Sequence, residues 1–289
     1  MSLPLPPLRC WRWSPGGRGT AEGSDGTDGR WRIARKVAED RVISTVDTEA
    51  RHTRKSPENR RDGYRAHVAA EPGTGLITDE ALTMAAGPDN SDAALAAAFL
   101  TAEGKAARVY GDSAYGTGDL RAALAGAGHA AVIKPGPLQP AVEGGFTLDD
   151  FTVDEAAAAV TCPAGVTRPI SARRNVTFGA ACRGCPLRAR CTTSKHGRAL
   201  ILHQHDAQLR AARRDWSAIP ALREDYRKHR PNIERVISQI ASRGGRRLKL
   251  RYRGTVRNNA WLKRRTAALN LRNLIGRGII RRNGIWVLA

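Results

Sequence analysis

The segment from Ala107 to Lys134 constrains the fold of this 289-residue chain more than any other. The short apolar run Val109-Tyr110 ends at Gly111-Asp112-Ser113, and a turn follows. Residues 119–127 then read as a helix. His129-Ala130-Ala131-Val132-Ile133-Lys134 reads as a second buried strand, closed by Pro135-Gly136-Pro137. Strand, helix, strand over so few residues is the pattern of a layered α/β sheet. It places Asp112 at the carboxyl end of a strand, the edge where open α/β sheets put their chemistry. On spacing alone, a turn or helix-capping aspartate is the stronger reading of Asp112.

The flanking sequence extends the sheet in both directions. Gly63-Tyr64-Arg65-Ala66-His67-Val68-Ala69-Ala70 alternates with period two and predicts a half-buried strand. The turn Glu71-Pro72-Gly73-Thr74-Gly75 leads into Leu76 to Thr83, which completes a hairpin. Val42 to Val46 predicts a short strand before it, and His52 to Arg61 a basic loop. A helix from Pro88–Asp92 to about Glu103, capped by Asn90 or Ser91, leads into the Ala107 segment. Residues 146–202 break the rhythm with short β-like pieces, Phe151-Thr152-Val153 and Ala159 to Cys162. The chain is then helical from about Asp206 to Gly244. Its last clear helix is expected to begin near Pro231, with Ile233, Val236, Ile237 and Ile240 on one face. Asn258 to Ile275 is a further helix. The fold class expected is α/β: a mixed, incomplete sheet with a cysteine-rich insertion and a helical carboxyl-terminal part.

Charge bears on function. Lys and Arg total 48 against 27 Asp and Glu, a formal net charge of +21. A GC-rich genome accounts for preferring Arg over Lys but not for the excess itself. A polyanion partner, most simply nucleic acid, accounts for it. From Arg235 to the end the chain has no Asp or Glu. That tract holds Arg246, Arg247, Lys249, Arg251 and Arg253 in alternation with apolar residues, followed by Lys263, Arg264 and Arg265. A solvated charged face normally mixes signs, so phosphate contact is the better account. No apolar run reaches the ~18 residues of a membrane span. Met1 to Gly29 is rich in Pro and Gly and reads as a disordered leader that includes Cys10. The location expected is the cytoplasm, with no membrane partner.

Two constellations carry chemistry. Cys162, Cys182, Cys185 and Cys191 have spacing C-x19-C-x2-C-x5-C, and Cys182-Arg183-Gly184-Cys185 is a tight knuckle. Four thiolates close a tetrahedral structural Zn2+ site in a segment with little apolar content. Free thiols or an iron–sulfur cluster are the alternatives, and His196, His203 and His205 nearby read as surface histidines. The second constellation pairs Asp112 with Glu234. Two carboxylates brought together suit hard divalent cations, which activate water and stabilise a leaving oxygen in phosphodiester chemistry. Arg230 lies four residues before Glu234, so a solvated helical salt bridge is the bland alternative.

Taken together, these pieces resemble the DDE transposases of bacterial insertion sequences, in particular a subgroup with a cysteine-rich insertion. The resemblance runs from about Trp31 to about Ile275. It rests on Asp40 to His52, Asp62 to Ala69, Gly111 to Gly116, the four cysteines, Tyr226 to Glu234, Arg251-Tyr252-Arg253-Gly254 and Ala268-Leu269-Asn270-Leu271. It implies an RNase H-like fold and the cutting and joining of transposon-end DNA with two Mg2+ held by three acids. Asp112 matches the second acid and Glu234 the third. Arg230 matches the arginine of the signature Y-x2-R-x3-E-x6-K, whereas Tyr226 is one residue off its spacing and the lysine slot falls on Ala241. The first acid is not matched. Asp25-Gly26-Thr27 has suitable letters without a strand around it, and Asp47 is the runner-up substitute.

The resemblance therefore implies an amino-terminally truncated transposase with impaired activity, nucleoid-associated, acting on transposon ends and target DNA. The protein partner it implies is a second copy or a full-length transposase. The parts expected are a leader (1–30), the first part of the catalytic core (31–137), the cysteine-rich insertion (138–204), a helical completion with Glu234 and the basic tract (205–275), and a tail (276–289). Two other functions fit the same residues: a non-catalytic DNA-binding remnant, and a zinc-stabilised RNA-binding protein.

Overall fold

The computed structural model describes residues 42–54, 60–101 and 105–288. The leader, Asp25, Cys10 and the stretch from Trp31 to Arg41 lie outside the described residues. The hairpin is present, formed by strands β2 (Arg60–Ala70) and β3 (Ile77–Met84), which pair antiparallel from Tyr64↔Met84 to Ala70↔Ile77. Ahead of it, β1 (Arg51–Arg54) pairs antiparallel with the first residues of β2, Arg51 opposite Gly63.

The sequence expectation is wrong here. Val42 to Val46 is not a strand, and part of the supposed basic loop is one. The reason is capping. Asp47 accepts from the Tyr64 hydroxyl at 2.6 Å, and Glu49 accepts from the Thr255 backbone N–H at 2.6 Å. These carboxylates hold residues 42–50 as an irregular segment against the start of a distant helix, whose free N–H groups and positive dipole end attract them.

Helix α1 (Asp92–Thr101) follows, its Ala94 N–H donating to the Ser91 hydroxyl at 3.2 Å. The segment that opened the sequence analysis forms as expected. Strand β4 (Arg108–Gly111) is followed by helix α2 (Gly118–Gly126) and strand β5 (Ala130–Ile133), and β4 and β5 pair parallel. Thr117 caps α2 by accepting from Leu120 N–H at 3.3 Å. Buried Arg121 donates to the Ile133 carbonyl at 2.9 Å and ties α2 to the end of β5. Leu120, Leu124 and Ile133 form the buried core of this unit, with Ala93, Ala96 and Leu100 of α1 packed on it.

The cysteine-rich segment is built from small antiparallel pairs: β6 (Thr152–Asp154), β7 (Ala159–Thr161) and β8 (Thr167–Pro169) in one sheet, then β9 (Asn175–Thr177) with β10 (Ala199–Ile201) in another. A short helix, α3 (Arg188–Cys191), lies between β9 and β10. This segment is not poor in apolar contacts, as its sequence suggested. Phe151, Val160, Val176, Phe178, Leu200 and Leu202 close a buried core of their own.

The long helical region divides at Ile219. Helix α4 (Asp206–Ala218) ends there and α5 (Pro220–Ala241) begins with Pro220 in its first turn. Pro231 does not start a helix; it lies inside α5. Proline there leaves one carbonyl unbonded and costs on the order of 3 kcal/mol. Contacts on both sides offset that cost. Tyr226 packs edge-on against Trp216 with ring centroids 5.1 Å apart, while Ile233, Val236 and Ile240 enter the core with Ile77, Leu82 and Leu262. After the two-residue strands β11 (Ser242–Arg243) and β12 (Arg246–Arg247) comes helix α6 (Thr255–Gly276). Residues 279–288, expected as a tail, form a hairpin of β13 (Ile279–Arg282) and β14 (Ile285–Leu288).

The mixed sheet is discontinuous. Among the described residues, β1-β2-β3 and β4-β5 are separate sheets, and α5 packs against β2, β4 and β5 and so bridges them.

Candidate active site

Asp112 follows β4 directly. Its Oδ1 accepts the Ala114 N–H at 2.9 Å, so it caps the short helical turn Ser113–Tyr115. The capping role weighed from sequence is real, and it leaves Oδ2 free to face α5. Arg230 takes that position: its Nη2 donates to Asp112 Oδ2 at 3.2 Å and its Nη1 to Glu234 Oε1 at 2.8 Å. The fold thus brings together two carboxylates far apart in sequence. The planar guanidinium suits two oxygen partners at once. Arg230 is only 15% exposed, against 45% for Asp112 and 63% for Glu234, so the cation sits beneath two solvent-facing anions.

The electrostatics follow from that arrangement. Burial acts to lower the Arg230 pKa, but the Glu234 hydrogen bond and charge outweigh it, and the guanidinium is raised above its ordinary value. Burial raises the Tyr226 hydroxyl; Arg230 beside it pulls the other way without overcoming this. Tyr115 is pushed up to about 12, chiefly by burial and then by Asp92 and Asp112. A neighbouring layer was missed in the sequence. Asp225 accepts from the Tyr110 hydroxyl at 3.1 Å and pairs with Arg108 at 2.8 Å, and His229 lies on Tyr110 with ring centroids 5.1 Å apart. These contacts pin α5 to β4 one turn before Arg230. Only the spacing of Asp225 and His229, four apart on one helix, could have pointed to them.

A model described as a transposase DDE domain matches residues 161–275. Over that stretch the chain is similar to transposase DDE domains. No curated protein and no solved structure matches the chain. The matched stretch includes the four cysteines, Tyr226, Arg230, Glu234 and the basic tract, and begins after Asp112. It supports DNA transposition as the function and DNA as the partner.

The other sequence candidates fall as follows. Asp47 is held by Tyr64, and Gly254 N–H donates to it at 3.4 Å, beside the cap of α6. Cys162, Cys182, Cys185 and Cys191 line one small cavity of about 20 Å3, floored by Phe151 and Phe178. Burial raises the Cys191 thiol pKa, and the three other thiols add to that. The donor set suits zinc, and the cavity exceeds the 10–15 Å3 that a single water needs. Among the described residues, however, no three His, Cys, Asp or Glu groups are disposed to hold a metal ion. Of the basic residues, Arg246, Arg247, Lys249, Arg251, Arg253, Lys263 and Arg264 are exposed. Arg265 is not free: it donates to the carbonyls of Gln239, Ile240 and Ser242, each at 2.6 Å, and so caps the carboxyl end of α5. No described helix is long and apolar enough to cross a membrane.

Proposed function

We propose that this chain binds transposon-end DNA through the basic tract and presents the scissile phosphate to Asp112 and Glu234, with strand cutting impaired because, among the described residues, no third acid joins the pair. The single observation that carries this reading is the Arg230 bridge, which gathers a strand-end carboxylate and a helix carboxylate at one solvent-facing point.

The two carboxylates fit Mg2+, which takes one or two protein carboxylates and fills its other positions with water and substrate phosphate. When bound, such ions supply an activated water and charge stabilisation for an in-line phosphoryl displacement. The chain's own residues do the rest. Asp112 is fixed by its backbone cap, so the oxygen that meets Arg230 keeps one direction. Arg230 holds both acids in place and lowers their mutual repulsion, and its guanidinium offers donors to a phosphate oxygen. The exposed cations 246–253 and 263–264 neutralise the DNA backbone and set the approach. Two protein carboxylates hold divalent ions weakly, so cutting is slow while binding is retained. The four cysteines, as thiolates, would hold one structural Zn2+, which would cross-link this segment.

The test is cutting and binding of a duplex made from the DNA flanking the gene. Tight, salt-sensitive binding with little or no nicking in Mg2+ is expected. Efficient nicking that Asp112→Ala abolishes, with binding kept, overturns the impairment; preferential binding of structured RNA overturns the DNA assignment.

A further inference from the structure

The charges of the cysteine-rich segment are sorted by sign. Glu143, Asp149, Asp150, Asp154 and Glu155 crowd its first part, whereas residues 156–205 hold eight Arg and Lys and no Asp or Glu. The acids are met locally: Asp149 pairs with Arg213 and Glu155 with Arg174, each at 2.6 Å. Among the described residues, Arg174 is the only one of the eight cations to meet a carboxylate. A surface that serves solubility alone intersperses both signs. Three short pieces of chain gather the outer cations at the cysteine end. Arg183 lies inside the knuckle 182–185. Arg188 of α3 donates to the Ser194 carbonyl at 3.3 Å, which ties α3 to the turn 194–197. That turn lies on the knuckle: the Arg198 N–H donates to Cys182 Sγ at 3.4 Å, and Gly197, at φ +86°, abuts Gly179 and Cys182 with no room for a side chain. Arg198 turns inward, donating to the Cys191 carbonyl at 3.3 Å with its guanidinium over the Phe151 ring. Arg183, Arg190 and Lys195 stay exposed. The Arg190 guanidinium is held over the Phe146 ring, 4.7 Å from its centroid, so it is placed before any ligand arrives.

We propose that this cysteine end is a second backbone contact for duplex DNA, with Arg183, Arg190 and Lys195 binding phosphates apart from the tract at 246–264. Phosphate is the ligand that this chemistry recognises: guanidinium and ammonium donors match its oxygens, and no acid in the surrounding fifty residues competes for them. Charge balance of the thiols is the competing account, because thiolates draw cations towards them. Arg198, turned inward beside Cys191 and Cys182, meets that need, and the three exposed cations are left over. The buried core of Phe151, Val160, Val176, Phe178, Leu200 and Leu202 keeps this end in one shape, so the cations present a fixed face. Backbone contacts set the position and register of a duplex, and two on separate parts of the fold stop it pivoting about one. The inference rests on the DNA partner of the proposed function and uses neither Asp112, Glu234 nor a bound Zn2+.

The experiment measures binding of the full chain to a labelled duplex made from the DNA flanking the gene, by fluorescence anisotropy across a KCl series. The joint variant Arg183→Gln, Arg190→Gln, Lys195→Gln is expected to bind about tenfold or more weakly and to lower the slope of log K against log salt by about 2–3. Arg173→Gln is the control. Arg173 is equally exposed but sits on the turn at the other end of β9, and its loss is expected to change affinity less than about twofold, since salt screens charges away from the contact. An unchanged melting temperature shows that the joint variant keeps its fold. In the wild-type chain, bound duplex is expected to slow acetylation of Lys195 severalfold, a readout that needs no variant. Full affinity in the folded joint variant, or unprotected Lys195, overturns the face. Equal losses for Arg173→Gln and Arg183→Gln reduce the effect to net charge and also overturn it. Affinity that falls with Arg246→Gln and Arg251→Gln but not with the joint variant overturns this face alone, whereas wild type that binds no duplex overturns the DNA partner as well. Tighter binding of structured RNA than of duplex at this face overturns the duplex assignment.

Discussion

Arg230 on α5 donates to Asp112 at the end of β4 across 3.2 Å, and this contact joins a helix to a strand that it follows by more than a hundred residues. Charge-assisted hydrogen bonds contribute ~1.5–3 kcal/mol when buried. Both acids here are more than a third exposed, so solvent screening reduces the bridge to about 1 kcal/mol. Arg230→Gln is expected to lower the free energy of unfolding, measured from the urea midpoint, by about that amount. Arg230→Lys is expected to recover less than half, because an ammonium cannot hold two carboxylates in one plane. Equal midpoints for wild type and Arg230→Gln would mean that the bridge does not form in solution.

Tyr64 gives a pH signature. Burial, and then its hydrogen bond to Asp47, pushes its pKa up from 10.0 to about 12. The folded state keeps the phenolic proton where the unfolded state loses it. The resulting stability is therefore complete below pH 10 and is lost as pH rises towards 12. Denaturation midpoints should fall across that window, and more steeply for wild type than for Tyr64→Phe. Parallel curves would refute the assignment.

The basic residues should separate into two classes. Alanine at Arg246, Arg247, Arg251 or Lys263 is expected to weaken duplex binding and reduce the slope of log K against log salt by about 1 each, as for a lost phosphate contact. Arg265→Ala is expected instead to lower thermal stability while leaving that slope unchanged, since its guanidinium caps α5. A reduced slope for Arg265→Ala with unaltered melting would reverse this division.

Native mass spectrometry of chain purified without chelator should show one zinc per molecule. Cys185→Ser should remove it and destabilise the core around Phe151 and Phe178, on which Cys162, Cys182 and Cys191 pack and whose cavity Cys185 shares. Zinc binding also requires deprotonated thiols, so apparent affinity should fall with falling pH. A metal-free protein with the same melting temperature after chelation would sink the zinc reading.

Much of the architecture was legible because local patterns and packing agree. The period-two run from Gly63 to Ala70, the turn at Pro72-Gly73 and the strand–helix–strand unit around Asp112 carry their own signals. Three stretches were misread where distant contacts overrule local preference. Val42 to Val46 has strand-like residues, but Asp47 and Glu49 are taken up by the start of α6. Pro231 looks like a helix start, yet core contacts on both sides carry the helix through it. Arg265 reads as one more phosphate contact in a basic run, and only the position of the α5 terminus makes it a cap.

The sequence by itself determined the strand-end position of Asp112, the helical position of Glu234 four residues after Arg230, and the acid-free basic tract, because each is a matter of spacing along one element. Only the tertiary structure decided that Asp112 and Glu234 share one arginine and that, among the described residues, the two sheets stay separate around a cavity of about 620 Å3. Both depend on how α5 packs across β2 and β4. That packing joins residues far apart in the chain, and no local pattern encodes it.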